Sequence, residues 1–137
     1  MKIIEKNVNA GILVLRLSIG VLIILHGISK LMHGAGFIEQ TVEAAGLPSF
    51  IAYGVYVGEV IAPLFIIAGF GTLIAAAIFA FNCFVAAMLV HSTQIFQLDP
   101  ASGGWAIELL GLYFFGAVAL IFTGGGKYAL SNKYWWD

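Results

Sequence analysis

Charge is scarce in this chain. Of its 137 residues only 6 are lysine or arginine and 7 aspartate or glutamate, which leaves a formal net charge of -1. The lysines are scattered and form no basic stripe, so a nucleic-acid partner is excluded. Cysteine occurs once, at Cys83, which rules out an internal disulfide and a CxxC pair for dithiol exchange or metal binding. Nucleotide fingerprints and redox-cofactor motifs are also missing, so electrons for any redox role must come from a partner. Of the prolines Pro48, Pro63 and Pro100, Pro63 alone falls inside an apolar run.

What the chain has instead is hydrocarbon. Hydrophobic residues make up 61% of it, and the mean hydropathy of +1.02 lies far outside the usual soluble range. A membrane span needs about 20 mostly apolar residues, and four segments qualify, at about 10–32, 49–69, 72–96 and 104–123. The expected fold is all-α, a single membrane domain over 1–137 built as a four-helix transmembrane bundle. Lys2 and Lys6 precede the first run, but from Gly11 to about Met32 it is too long for a signal-peptide core and reads as a retained first span. Glycine and proline punctuate the breaks: Gly46-Leu47-Pro48, Gly69-Phe70-Gly71, Asp99-Pro100 and Gly124-Gly125-Gly126. Between the first two spans, GFIEQTVEAAGLP (36–48) has helical spacing with Phe37, Val42 and Leu47 on one side. It predicts a short interfacial amphipathic helix.

Lys2, Lys6, Lys127 and Lys133 lie on the two tails, and Lys30 alone on the other side. By the positive-inside rule both termini are expected in the cytoplasm, with the protein in a bacterial-type cytoplasmic (inner) membrane. Trp105, Tyr134, Trp135 and Trp136 read as interfacial anchors.

Ionisable groups inside spans cost roughly 2.5–3.5 kcal/mol each even on the lenient insertion scale, so they face the bundle interior and pair. Arg16 lies ~9 Å and Glu59 ~15 Å from the cytoplasmic face at the helical rise, within an arginine's reach of each other. That depth match predicts an Arg16–Glu59 ion pair bracing the bundle. Pro63, lacking an N–H, leaves free the carbonyl four residues earlier, that of Glu59 itself. On the outer half, His26 and Lys30 share a face of the first helix, while His91 ends the third span and Glu108 opens the fourth. These four residues are either a polar pocket with proton partners for a quinone or another small redox ligand, or a network of salt bridges near the headgroups. Haem between His26 and His91 has only the histidine pair in its favour, and no metal site is expected. Gly54 and Gly58 form a GxxxG that serves packing inside the bundle or between protomers of a homo-oligomer. Asn82 is expected to make an interhelical hydrogen bond, and Cys83 to be a packing residue.

Three blocks of these residues resemble the DoxX family. RLSIGVLIILHGISKL (16–31) is similar to the family's first-helix signature, GEVIAPLFIIAGFGTLIAAA (58–77) to its second block and AIELLGLYFFGAVALIFTGGGKYAL (106–130) to its last. The resemblance implies a small four-helix integral membrane protein related to subunits of thiosulfate:quinone oxidoreductase and to complexes handling thiol and oxidative stress. It carries Arg16, His26, Lys30, Glu59 and Glu108 over as the matching polar positions. The tail departs from the family's glycine-proline-glycine-arginine, reading Gly124-Gly125-Gly126-Lys127 here. The expectation is thus a membrane subunit of a quinone-linked oxidoreductase, in contact with lipid and with a partner subunit, with no intrinsic cofactor. The alternative is a non-enzymatic scaffold or lipid-like ligand-binding protein, and whether the chain is itself an enzyme stays open.

Overall fold

A computed structural model describes residues 6–137; Lys2, one of the tail lysines behind the expected orientation, lies outside them. Helix α1 spans Val8–His33, started by Asn7, whose side chain accepts from the Ala10 N–H at 3.0 Å. Helix α2 spans Gly36–Ala44. Helix α3 runs over Ser49–Ala68 and is composite: it opens as a 3₁₀ turn, passes through a π-turn at Val57–Ile61 and closes as an α-helix from Ala62. Helices α4 (Thr72–Leu89) and α5 (Glu108–Thr123) complete the chain. No strand is present among the described residues, only an isolated bridge between Leu98 and Trp105.

By length and apolarity α1, α3 and α4 can each cross a membrane, while α5 is a shorter apolar helix of 16 residues. The runs expected at 72–96 and 104–123 are therefore helical over less of their length. Residues 90–107 fold instead into hydrogen-bonded turns, where Pro100 lacks an amide and Gly103 adopts φ +76°. Helix α2 forms where expected, but only Val42 is buried; Phe37 and Leu47, expected on the same side, are exposed.

The four long helices share one apolar core. Ile19 and Ile23 of α1, Ala62 and Ile66 of α3, Phe79 and Ala80 of α4, and Ala117 and Leu120 of α5 meet there, with Phe79 edge-on to Tyr113. The remaining faces carry exposed Leu, Ile, Val and Phe all around the helices, the arrangement of a protein solvated by hydrocarbon rather than water.

At the end of the bundle bearing both tails, the polar chemistry centres on the C-terminus of α3. A helix leaves its last four carbonyls without intrahelical partners. Here every one is met. The Phe65 carbonyl accepts from the Gly69 N–H at 2.8 Å, with Gly69 left-handed at φ 71°, a conformation that favours glycine. Arg16 Nε donates to the Ile66 carbonyl at 2.9 Å and Nη2 to that of Ile67 at 2.8 Å. The Ala68 carbonyl accepts from the Leu130 N–H at 3.1 Å. Arg16 Nη1 reaches past α5 to the Gly125 carbonyl at 3.0 Å, so the buried guanidinium lies between the negative dipole ends of two helices.

The tail after α5 is held by Asp137. Its carboxylate accepts from the Gly71 N–H (3.0 Å), the Ser131 hydroxyl (2.7 Å) and the N–H groups of Lys133 (2.9 Å) and Tyr134 (3.0 Å). The Ser131 bond first, then the backbone donors, hold this carboxyl below its ordinary pKa, with burial opposing them.

Two outcomes follow. Arg16→Lys keeps the charge but cannot reproduce the three-way fork; losing even one of these charged bonds is worth about 1.5–3 kcal/mol. It should lower the stability of the detergent-solubilised protein in a denaturant titration, and Arg16→Met should lower it further. For Asp137 the folded pKa is depressed, so its stabilisation is complete above the unfolded value near 3.8 and drains away as pH falls through and below it. Emission from Trp136, stacked on Tyr134 at 4.5 Å, should therefore hold steady from neutral pH down to about 5 and shift below about 4. In Asp137→Asn that acid transition should be missing.

Candidate functional site

Farther from the tails, the bundle holds a second polar cluster. Pro63 cannot donate to the Glu59 carbonyl, and its ring crowds that carbonyl, so the chain widens there: the Ala62 N–H bonds back five residues to Val57. The freed Glu59 carbonyl packs against Gly27 of α1, where a Cβ would collide with it. Gly27 is thus required by close helix approach. The π-turn aims the Glu59 side chain inward, where it is buried. Its Oε2 accepts from Lys30 Nζ at 2.5 Å and its Oε1 from Asn82 Nδ2 at 3.4 Å. Gly58 makes room for that asparagine, since a Cβ there would strike the Asn82 side chain. The Tyr56 hydroxyl donates to the Lys30 carbonyl at 3.2 Å, tying α3 to α1 one turn further out.

This arrangement corrects the expected Arg16–Glu59 pair. Helices α1 and α3 run antiparallel, and their register sets Glu59 against Gly27 and Pro63 against Gly20. Gly27 lies eleven residues beyond Arg16 along α1, or about 16 Å at the helical rise, more than an arginine can span. Lys30, one turn past Gly27, is the cation at Glu59's level, while Arg16 meets the uncapped end of α3. The interhelical hydrogen bond expected of Asn82 is present, and Glu59 is its partner.

Among the described residues no hydrogen bond or ion pair joins His26, Lys30, His91 and Glu108 to one another. Lys30 is drawn to Glu59. His91 Nδ1 bonds Gln94 Oε1 at 2.7 Å within its own turn. Glu108 is exposed and its carboxylate folds back against Gly104, while His26 is exposed on α1. No group of three or more metal-ligating side chains exists among the described residues.

Next to Asn82 on α4, Cys83 is buried and forms part of the wall of a cleft between α4 and α5. The cleft offers about 230 Å³ of water-accessible space and is lined only by apolar surface, including Phe84, Met88, Phe114 and Phe115. Trp105 closes its outer end: the ring lies on Gly111, and Nε1 donates to the Ile95 carbonyl at 2.7 Å. Trp105 is therefore an internal packing residue as much as an interfacial one. A sequence reading misses this role because it depends on the fold of residues 90–107. Its only trace in the chain is Gly111 six positions later.

Chemically, one half of this region offers a carboxylate, an ammonium and an amide in fixed hydrogen bonds. The other offers an aromatic-lined slot, with Asn82 and Cys83 between them.

Comparison with known proteins places this geometry in context. The chain is 36% identical over 76 residues to "Putative oxidoreductase CatD" of Bacillus subtilis (strain 168), a match covering 56% of each protein, so the chain spans little more than half of that relative. No solved structure matches it. The DoxX family model matches residues 11–92, a stretch that includes Arg16, Gly27, Lys30, Glu59, Pro63 and Asn82, and on that match the chain belongs to the DoxX family of membrane proteins.

Proposed function

We propose that this protein is an integral membrane subunit of a quinone-linked oxidoreductase or of a thiol and oxidative-stress system. In this reading it crosses the membrane four times with both termini in the cytoplasm, and it binds a small redox-active or lipid-like ligand within the bilayer. The observation that carries the reading is the juxtaposition at Asn82-Cys83: the Lys30–Glu59 pair on one side of α4 and the apolar cleft on the other. Quinone chemistry needs both, because a hydrophobic ring must be held and its oxygens must exchange protons with a nearby group. Glu59 would serve as that proton partner, with Lys30 and Asn82 holding its charge. His91 and Glu108 stand at the ends of α4 and α5, beside the outer rim of the cleft, and would polarise its entrance; His26 would act from the α1 side. The electrons would come from a partner subunit. The name of the Bacillus relative agrees with an oxidoreductase role.

The cleft's wholly apolar lining also favours a second reading, a non-enzymatic protein that holds a lipid-like chain there. Extraction and mass spectrometry of the protein purified in mild detergent separates the two. Quinone should copurify with the wild type and be lost from Ala87→Phe, which fills the cleft. It should be retained but turned over more slowly in Glu59→Gln, and His26→Ala and Glu108→Ala should change affinity. Ordinary lipid in place of quinone in every preparation would favour the second reading. Neither molecule in any preparation would sink both.

The ion pair has its own signature. Lys30→Met leaves a buried carboxylate without its cation, at a cost of about 3–5 kcal/mol. Adding Glu59→Gln should recover part of that loss. By contrast Arg16→Met and Glu59→Gln, whose contacts at Ile66 and Glu59 lie roughly 10 Å apart along α3, should add to within about 0.5 kcal/mol in unfolding titrations.

A further inference from the structure

We infer that the segment between α4 and α5, residues 90–107, is seated at the boundary of acyl chains and headgroups in the leaflet opposite the tails and does not stand free in water. The first reason is length. The hydrocarbon core of a bilayer is about 30 Å thick, whereas α5, at 16 residues, spans about 24 Å and α4, at 18 residues, about 27 Å. The chain reaches the far headgroups from these two helices only if the intervening segment supplies the missing depth.

The second reason is that part of the segment's backbone is tied to itself, which leaves fewer polar groups to be met by headgroups and interfacial water. The Gln94 N–H bonds the His91 carbonyl at 2.9 Å, Gln97 bonds Gln94 at 3.1 Å and Ala106 bonds Gln97 at 3.0 Å. The Asp99 N–H bonds the Gly104 carbonyl at 2.8 Å, and the Gly103 N–H returns to the Asp99 carbonyl at 2.7 Å. The Asp99 carboxylate is occupied by the Ala101 N–H at 2.9 Å and the Ser102 hydroxyl at 3.0 Å. Two side chains are tied likewise, His91 to Gln94 and the Trp105 N–H to the Ile95 carbonyl.

The third reason is what the segment presents outward. Phe96 is 99% exposed and Leu98 71% exposed, large apolar groups beside the polar turn Asp99–Gly104. In water these two side chains would be a liability. At the boundary of acyl chains and headgroups they are anchors, and the partner this surface fits is a phospholipid bilayer.

The test is a depth measurement in proteoliposomes of phosphatidylcholine and phosphatidylglycerol. Nitroxide labels are placed on Phe96→Cys, Leu98→Cys and Ala101→Cys in a Cys83→Ala background, and collision rates with oxygen and with a water-soluble nickel chelate are compared. The oxygen-to-nickel ratio should be several-fold higher at 96 and 98 than at 101. Equal ratios at all three positions would mean that the segment stands in water. Low collision rates with both reagents at 96 and 98 would mean that protein covers them, and either result overturns the inference. Should Phe96→Cys fail to fold, Leu98→Cys reports the same surface.

Discussion

The C-terminus of α3 sets the constraint on which the rest of this bundle depends. In a bilayer its terminal carbonyls cannot turn to bulk water, and the chain answers with a fixed cation and two turns of backbone. Arg16 is suited to this because its guanidinium presents several donors in a rigid plane and stays charged in a site that excludes water. Its three bonds reach α3 and the segment after α5 from α1, so one side chain joins elements from the beginning, middle and end of the sequence. Gly125 extends the join: its carbonyl accepts from Arg16 while its N–H donates to the Asp137 main-chain oxygen at 2.9 Å. Among the described residues no carboxylate pairs with this charge, and helix-end dipoles offset it.

That solution releases Glu59 from a structural duty. A carboxylate braced by arginine would be locked in its ionised form, since arginine does not give up its proton. Here it is held instead by one lysine ammonium and one asparagine amide inside a π-turn. The distortion that Pro63 imposes brings Glu59 to this position and presses its main chain on Gly27. The cost of widening the helix falls at the level of the Lys30–Glu59 pair, and π-turns recur at functional places in helices.

Much of the architecture was legible in the sequence. The apolar runs located every long helix, because about 20 hydrophobic residues in a row have no other stable fate. The charged residues within them marked both polar clusters, and Pro63 marked the turn that carries Glu59. Pairing was not legible. Depth counted from helix ends assumes a register, and the α1–α3 register is fixed by Gly20 and Gly27 against particular backbone atoms, which spacing alone does not reveal. Nor does depth matching consider that an arginine can be satisfied by carbonyls. The helix ends at Leu89 and Glu108 were hidden for a related reason: residues 90–107 are apolar enough to pass for helix, and only their turn hydrogen bonds and the Trp105 contact with Gly111 show otherwise.

The two clusters therefore divide the labour by chemistry. At the tail end all of Arg16's contacts are saturated and none of its groups exchanges a proton at ordinary pH, so this end can hold shape but cannot do work. At the π-turn, Glu59 and Lys30 form an ion pair, Lys30 keeps 29% of its side chain exposed, and a hydrophobic slot lies across α4. A ligand arriving from the membrane would meet hydrocarbon and aromatic surface first and the carboxylate last. Water reaching Lys30 would come from the other side. On the function proposed above, such an ordering would separate the path of an apolar ligand from the path of a proton, which any chemistry coupling the two within a bilayer requires.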